Sequence, residues 1–194
     1  MKNISGTIAD ALWTQGIIQK DEVAACKYGI DIFISSFLEI ASILLIAAVL
    51  GNFFETVLLF LAFIPLRVYA GGYHADTKLK CYIISLMMYA IAYGIAAVLP
   101  SETYLFANVF GTLFSLFTVL IKAPIIHRNK TVNAVERKNY RKISIEICLF
   151  ETTAVLLLTA KYPQNSAITY LAVGQMSVSI SMLAAVAKNH FIGK

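Results

Sequence analysis

Six long apolar runs, at about 29–50, 53–70, 82–100, 103–121, 143–160 and 167–187, alternate with short polar connections. Each approaches the roughly 20 residues that a helix needs to cross a bilayer core. The pattern predicts an all-α integral membrane bundle of about six transmembrane helices, organised as a single domain over 1–194. The second run is the weakest. Its clean apolar stretch ends at Pro65 and Leu66, which sets Arg67 at a membrane face. Before the first run, Ile4, Ile8, Ala11, Leu12 and Ile18 share one arc of a helical wheel, with Thr7, Asp10 and Thr14 opposite. Gln15 and Gln19 interrupt that arc, but the pattern still predicts an interfacial amphipathic helix within residues 1–28. The same stretch has neither the unbroken apolar core nor the small-residue cleavage site of a secretory signal. No internal repeat or low-complexity linker divides the chain.

Composition agrees with the patterning. Of the 194 residues, 59% are apolar and 14% charged, and the mean hydropathy is +0.74. Soluble domains sit near 45–50% apolar and about 25% charged. The charges that remain are unevenly placed. The N-terminal segment, the 67–81 connection, the 122–142 connection and the C-terminus hold all the Lys and Arg except Lys161. With six spans these four regions lie on one side, and basic connections face the cytoplasm. Both termini and the 67–81 stretch are therefore expected there. The basic loop at about 122–142 carries Lys122, Arg128, Lys130, Arg137, Lys138, Arg141 and Lys142. It reads as a topology signal that also attracts anionic membrane lipid, and it suits an acidic ligand. No nucleic-acid recognition fold accompanies the net charge of +5, so nucleic acid is not an expected partner.

Cys26, Cys81 and Cys148 make neither a CxxC pair nor an even set, which argues against a disulfide framework or a metal site. Cys148 lies in an apolar run and reads as a small buried side chain. No nucleotide-binding loop is visible, and no cofactor is expected. Four acids fall within predicted spans: Asp31, Glu39, Glu146 and Glu151. Ionisable groups at such depth pair inside a bundle or line a watery cavity. Glu39 suits pairing with Arg67 or a contact to substrate. Ser177, Ser181 and Ala185, spaced by four, form a small-residue stripe for close helix packing, within the bundle or between the subunits of a homodimer.

The stretch from 67 to 81, "RVYAGGYHADTKLKC", carries the candidate chemistry. An imidazole that removes a thiol proton leaves a nucleophilic thiolate. His74 is the only His close in sequence to a Cys, and that Cys is Cys81. On one continuous helix the pair would be separated by about 10.5 Å along the axis, whereas a base must come within about 3 Å of the proton it removes. Gly71 and Gly72 relieve this conflict, because two glycines permit a tight turn. They also offer backbone N–H groups to a developing oxyanion. Asp76 is placed to orient the imidazole or to serve as a turn residue. One His and one Cys alone fit an ordinary interfacial loop better than a catalytic pair.

The wider pattern is more specific. Arg67, Gly71, Gly72, His74 and Cys81, as R-x-x-x-G-G-x-H-x-x-x-x-x-x-C after an apolar segment, resemble the accessory gene regulator B family of bacterial membrane cysteine endopeptidases in peptide quorum sensing. A second patch, "KAPIIHRNKTVNAVERKNYRK", is similar too, with Thr131 where the family often has Pro after Asn-Lys. The resemblance covers nearly the whole chain. It implies a bacterial cytoplasmic-membrane enzyme acting on a propeptide with an amphipathic N-terminal helix, a central Cys and an acidic C-terminal tail. It further implies Cys81 as nucleophile and His74 as general base. Arg67 would be a support or substrate contact, Gly71 and Gly72 the turn, and Lys130, Arg137 and Lys138 contacts to the tail. Cleavage would pass the acyl group to the propeptide's own Cys and close a thiolactone. Two other classes compete: a non-catalytic membrane peptide carrier or exporter, and an interaction protein whose basic loop binds lipid or an acidic partner. Only the enzyme requires the Cys81 thiolate.

Overall fold

The computed structural model describes residues 4–73, 75, 77–126 and 132–192. Among them seven α-helices follow one another: α1 (Ile4–Thr14), α2 (Val23–Val49), α3 (Phe53–Ala70), α4 (Lys78–Val98), α5 (Tyr104–Lys122), α6 (Ala134–Lys161) and α7 (Ser166–Ile192). Helices α2 to α7 are long and apolar enough to cross a membrane. The chain is thus an all-α, multi-pass type of membrane protein. Among the described residues there is no strand, only an isolated parallel bridge between Gly71 and Ile125.

Each expected span coincides with a helix, but α6 starts nine residues before the apolar run that predicts it. Its start is set by a capping box. Asn133 Oδ1 accepts from Glu136 N–H at 2.8 Å, and the Glu136 carboxylate accepts from Asn133 N–H at 3.0 Å. Arg and Lys are good helix formers, so the basic run continues as helix rather than loop. At 28 residues, α6 is about 42 Å long and outreaches a hydrocarbon core of about 30 Å. Arg137, Lys138, Arg141 and Lys142 therefore ride on its first three turns. Glu146, expected inside the bundle, is instead exposed and pairs with Lys142 at 3.7 Å. It lies two residues, about half a helical turn, from both Ser144 and Cys148, and so faces away from the buried side that they occupy.

The chain divides into two compact units, Met1–Ile46 and Ala47–Lys194. In the first, α1 buries Ser5 and Ala9 and leaves Ile4 and Ile8 exposed. The apolar arc read from the wheel thus points outward, as a surface-lying helix requires. A 3-10 turn at Lys20–Glu22 leads into α2, with Gln19 N–H bonded to the Glu22 carboxylate at 2.8 Å.

In the second unit α7 is the axis. Of its apolar window 61% is buried, against 17–33% for α3 to α6. Gly174 lets it approach closely, since a Cβ there would overlap the backbone carbonyl of Leu59 on α3. Polar bonds tie it to α5 and α6. The Ser115 and Ser179 hydroxyls lie 2.6 Å apart, and Gln175 Nε2 donates to Thr152 Oγ1 at 2.9 Å and to Cys148 O at 3.2 Å. Lipid supplies no hydrophobic drive between helices, so such bonds, each about 0.6–2 kcal/mol, matter more than extra apolar area. Cys148 is fully buried beside Leu66, Ala70, Val119, Ala123, Val178 and Met182. This cluster underlies the point where α3 ends and the candidate chemistry begins.

Candidate active site

Helix α3 runs through Pro65 to Ala70 and stops because Gly71 takes φ 77° and ψ −159°, a combination reserved for glycine. The Gly71 N–H closes the last turn onto Arg67 O at 3.1 Å. Gly72 follows with φ 149°. Space is as restrictive as torsion: a Cβ on Gly71 would overlap the Ile125 carbonyl, and one on Gly72 the Arg67 guanidinium. The two glycines therefore form a turn that no other residue pair fits without rearrangement.

That turn is held from both sides. On one side, Ile125 N–H donates to Ala70 O at 2.9 Å. On the other, the Tyr73 N–H is shared between the main-chain oxygen and the hydroxyl of Ser181, both at 3.0 Å. Arg67 Nη2 donates to Tyr73 O, and the Lys188 ammonium sits 5.1 Å from the centre of the Tyr73 ring. The segment that carries Ile125 is itself anchored. Arg141 on α6 donates to Leu120 O at 2.8 Å and to Ala123 O at 3.1 Å, satisfying carbonyls at the end of α5. The Tyr69 and Tyr140 rings add a contact at 6.0 Å between α3 and α6.

Beyond the turn, Thr77 caps α4, accepting from Lys80 N–H at 3.3 Å, and Cys81 N–H bonds to Thr77 O at 3.0 Å. Cys81 thus stands in the first turns of α4, half-buried. A helix N-terminus presents partial positive charge, which favours an anion such as a thiolate. Of the other two cysteines, Cys26 is half-buried on α2 and Cys148 is buried on α6.

Of the residues expected from sequence, Arg67, Gly71 and Gly72 converge on one turn. Arg67 acts on the backbone of Tyr73. The Gly71 N–H is committed to Arg67 O, so the oxyanion donor expected at that residue is already used in capping α3. Arg137 and Lys138 are exposed on the first two turns of α6. Glu39 is half-buried on α2 of the first unit. His74, Asp76 and Lys130 lie outside the described residues. Tyr73, Ile125, Arg141 and Ser181 were not anticipated as parts of the site. Arg141 registered in sequence only as charge, and Ser181 only as a small packing residue. No group of three or more His, Cys, Asp or Glu among the described residues is arranged to hold a metal ion.

The sequence profile of a family described as accessory gene regulator B matches residues 3–184. An AgrB-like protein of Clostridium perfringens is 32% identical over 109 residues, 56% of this chain and 57% of that protein. The match therefore spans little more than half the length of that relative. An AgrB-like protein of Listeria monocytogenes is 29% identical over 157 residues, 80% of this chain and 76% of its own length. The accessory gene regulator protein B of Staphylococcus aureus is 27% identical over 160 residues, covering 81% of this chain and 80% of its own. No solved structure matches the chain.

Proposed function

From the premise that this chain belongs to the accessory gene regulator B family, we propose that it is a membrane cysteine endopeptidase that matures a peptide signal for quorum sensing. Cys81 is the nucleophile and His74 the general base. The imidazole takes the thiol proton, and the thiolate attacks the carbonyl carbon of the peptide bond before the acidic tail. The C–N bond breaks, and the imidazolium returns the proton to the leaving amine. The acyl group now rests on Cys81 as a thioester. The thiol of the propeptide's own Cys attacks it in turn, closing a thiolactone and restoring Cys81. No co-reactant enters. Thioester exchange is near balance, whereas amide to thioester is uphill, so removal of the released tail draws the sequence forward.

The observation that carries this reading is the clamped Gly71–Gly72 turn. It ends α3 one short connection before α4, whose first turn carries Cys81. Fixed geometry of reacting groups is worth several kcal/mol of barrier, and the clamp on Tyr73 fixes the start of the segment that leads to Cys81. The basic first turns of α6 belong to the same end of the second unit through Arg141 and Ile125, and there they receive the acidic tail. This end faces the cytoplasm, where basic connections collect, and its Lys and Arg also meet anionic lipid. The protein resides in the bacterial cytoplasmic membrane, and the small residues of α7 are available for homodimer packing.

The test is cleavage of a co-expressed propeptide by single variants. Cys81→Ala abolishes cleavage. His74→Ala loses on the order of 10²–10⁴-fold, and its residual activity climbs as pH approaches the ordinary thiol range near 8.5. Cys26→Ala and Cys148→Ala keep cleaving. Cleavage by Cys81→Ala, or a wild-type rate for His74→Ala at pH 7, removes the assignment.

A further inference from the structure

We infer that Tyr89 of α4 is a positioning residue for Cys81: its hydroxyl ties α4 to the start of α3, and that tie aims the end of α4 that holds the thiol. The inference rests on the peptidase reading of Cys81. The buried residues of α4 are Tyr89, Ala92 and Ala96. None of residues 79–88, Cys81 included, is buried. A helix is stiff along its axis, so the half that carries the nucleophile points where the packing of the other half sends it.

The tie is a polar triad inside the bundle. Asn52 Nδ2 donates to the Tyr89 hydroxyl at 3.2 Å, and the hydroxyls of Thr56 and Tyr89 stand 2.9 Å apart. Thr56 spends its one hydroxyl hydrogen on Asn52 O, at 2.9 Å. Tyr89 is therefore the donor to Thr56. Its hydroxyl both accepts and donates, and both bonds cross from α4 to the cap and first turn of α3. All three residues are buried, where a lost partner is not replaced by water. Rings and small side chains complete the grip. Tyr93 stacks on Tyr89 with centroids 6.2 Å apart and meets Tyr170 of α7 at 6.4 Å. Ala92 and Ala96 pack with Leu59 of α3 and with Tyr170 and Val173 of α7. Without the Tyr89 hydroxyl these alanine contacts remain as a pivot. Cys81 lies about 16 Å along the axis from Ala92. A tilt of about 6° at that pivot displaces Cys81 by about 2 Å, more than the roughly 1 Å that costs 10²-fold in rate.

Two measurements on the full chain test this. Spin-label distances are taken in detergent with Cys26, Cys81 and Cys148 changed to Ala. One pair is Leu79→Cys with Leu149→Cys on α6, and the other is Ile95→Cys with Leu149→Cys, all three sites being exposed. Cleavage of a co-expressed propeptide is measured in chains that keep Cys81. Tyr89→Phe removes only the hydroxyl. It widens the Leu79–Leu149 distribution by about 2 Å, leaves Ile95–Leu149 as in wild type, and lowers cleavage on the order of 10²-fold. Thr56→Val does the same, and the two changes together are no worse than either alone. Tyr93→Phe, which keeps the ring that touches its neighbours, leaves the distances unchanged. If Tyr89→Phe leaves the Leu79–Leu149 distances unchanged, or widens them without slowing cleavage while Cys81→Ala is inactive, the positioning role is wrong and the peptidase reading stands. If both label pairs widen alike, Tyr89 supports the whole bundle rather than aiming α4, and the role is again wrong. If Cys81→Ala cleaves like wild type, the peptidase reading falls and the positioning of its nucleophile falls with it.

Discussion

Replacing Gly71 with alanine tests the turn on which the site is built. The residue sits at φ 77° and ψ −159°, where a side chain costs on the order of 1–3 kcal/mol. The new methyl would also overlap the carbonyl of Ile125. That atom is backbone, so no rotamer change relieves the contact, and the 2.9 Å bond from Ile125 N–H to Ala70 O is lost with it, for about 1 kcal/mol more. The sum is roughly 2–4 kcal/mol. At about 2–4 °C per kcal/mol for a chain of this size, that corresponds to melting lowered by about 4–16 °C. If the turn yields locally instead, a shift near 1 Å at the loop costs on the order of 10²-fold in propeptide cleavage. Thermal melting in detergent and cleavage are measured together. Gly94→Ala is the control, because α4 has room there for a methyl; it is neutral or gains about 0.5–1 kcal/mol. Gly71→Ala with wild-type melting and wild-type processing would refute the clamped turn.

Three further outcomes follow from the same architecture. Arg141→Lys lowers processing as far as Arg141→Gln, since one ammonium cannot span the two carbonyls of Leu120 and Ala123 that the guanidinium fork reaches; recovery with lysine would mean that charge alone matters. Changing Lys130, Arg137 and Lys138 together to Gln weakens processing, and the defect shrinks with a less acidic propeptide tail; an equal defect for acidic and neutral tails would leave the basic run only a topology signal. Cysteines at Glu102 and Gln164 react with an impermeant thiol reagent outside intact cells, whereas one at Asn139 on α6 does not; labelling at Asn139 would reverse the orientation.

The apolar runs made the six spans legible because lipid demands length and apolarity, and both are local properties. The Gly71–Gly72 turn was legible for a similar reason: glycine pairs announce torsions closed to other residues. The start of α6 was not, because hydropathy marks where a helix enters lipid, whereas the Asn133–Glu136 capping box marks where it begins. Nor were the clamps. Ile125 meets Ala70, Arg141 meets Leu120 and Ser181 meets Tyr73 through backbone atoms, which carry no sequence signature. In each case the side chain had a sufficient local explanation, charge for Arg141 and small size for Ser181, and that explanation hid the distant partner. His74 and Cys81 suggested only a nucleophilic thiol and the family resemblance suggested its reaction, while the clamps on the Gly71–Gly72 turn emerged only with the fold.

The central claim, that Cys81 carries the acyl group between cleavage and ring closure, is tested most directly by trapping that intermediate. A propeptide whose internal Cys is replaced by Ser cannot accept the acyl group as a thioester. Incubated with the wild-type protein, it should leave a covalent adduct on the Cys81 peptide by mass spectrometry, one that hydroxylamine removes as it does other thioesters. Cleavage of this propeptide with Cys81 unmodified at every time point, or the adduct on Cys26 instead, would contradict the account.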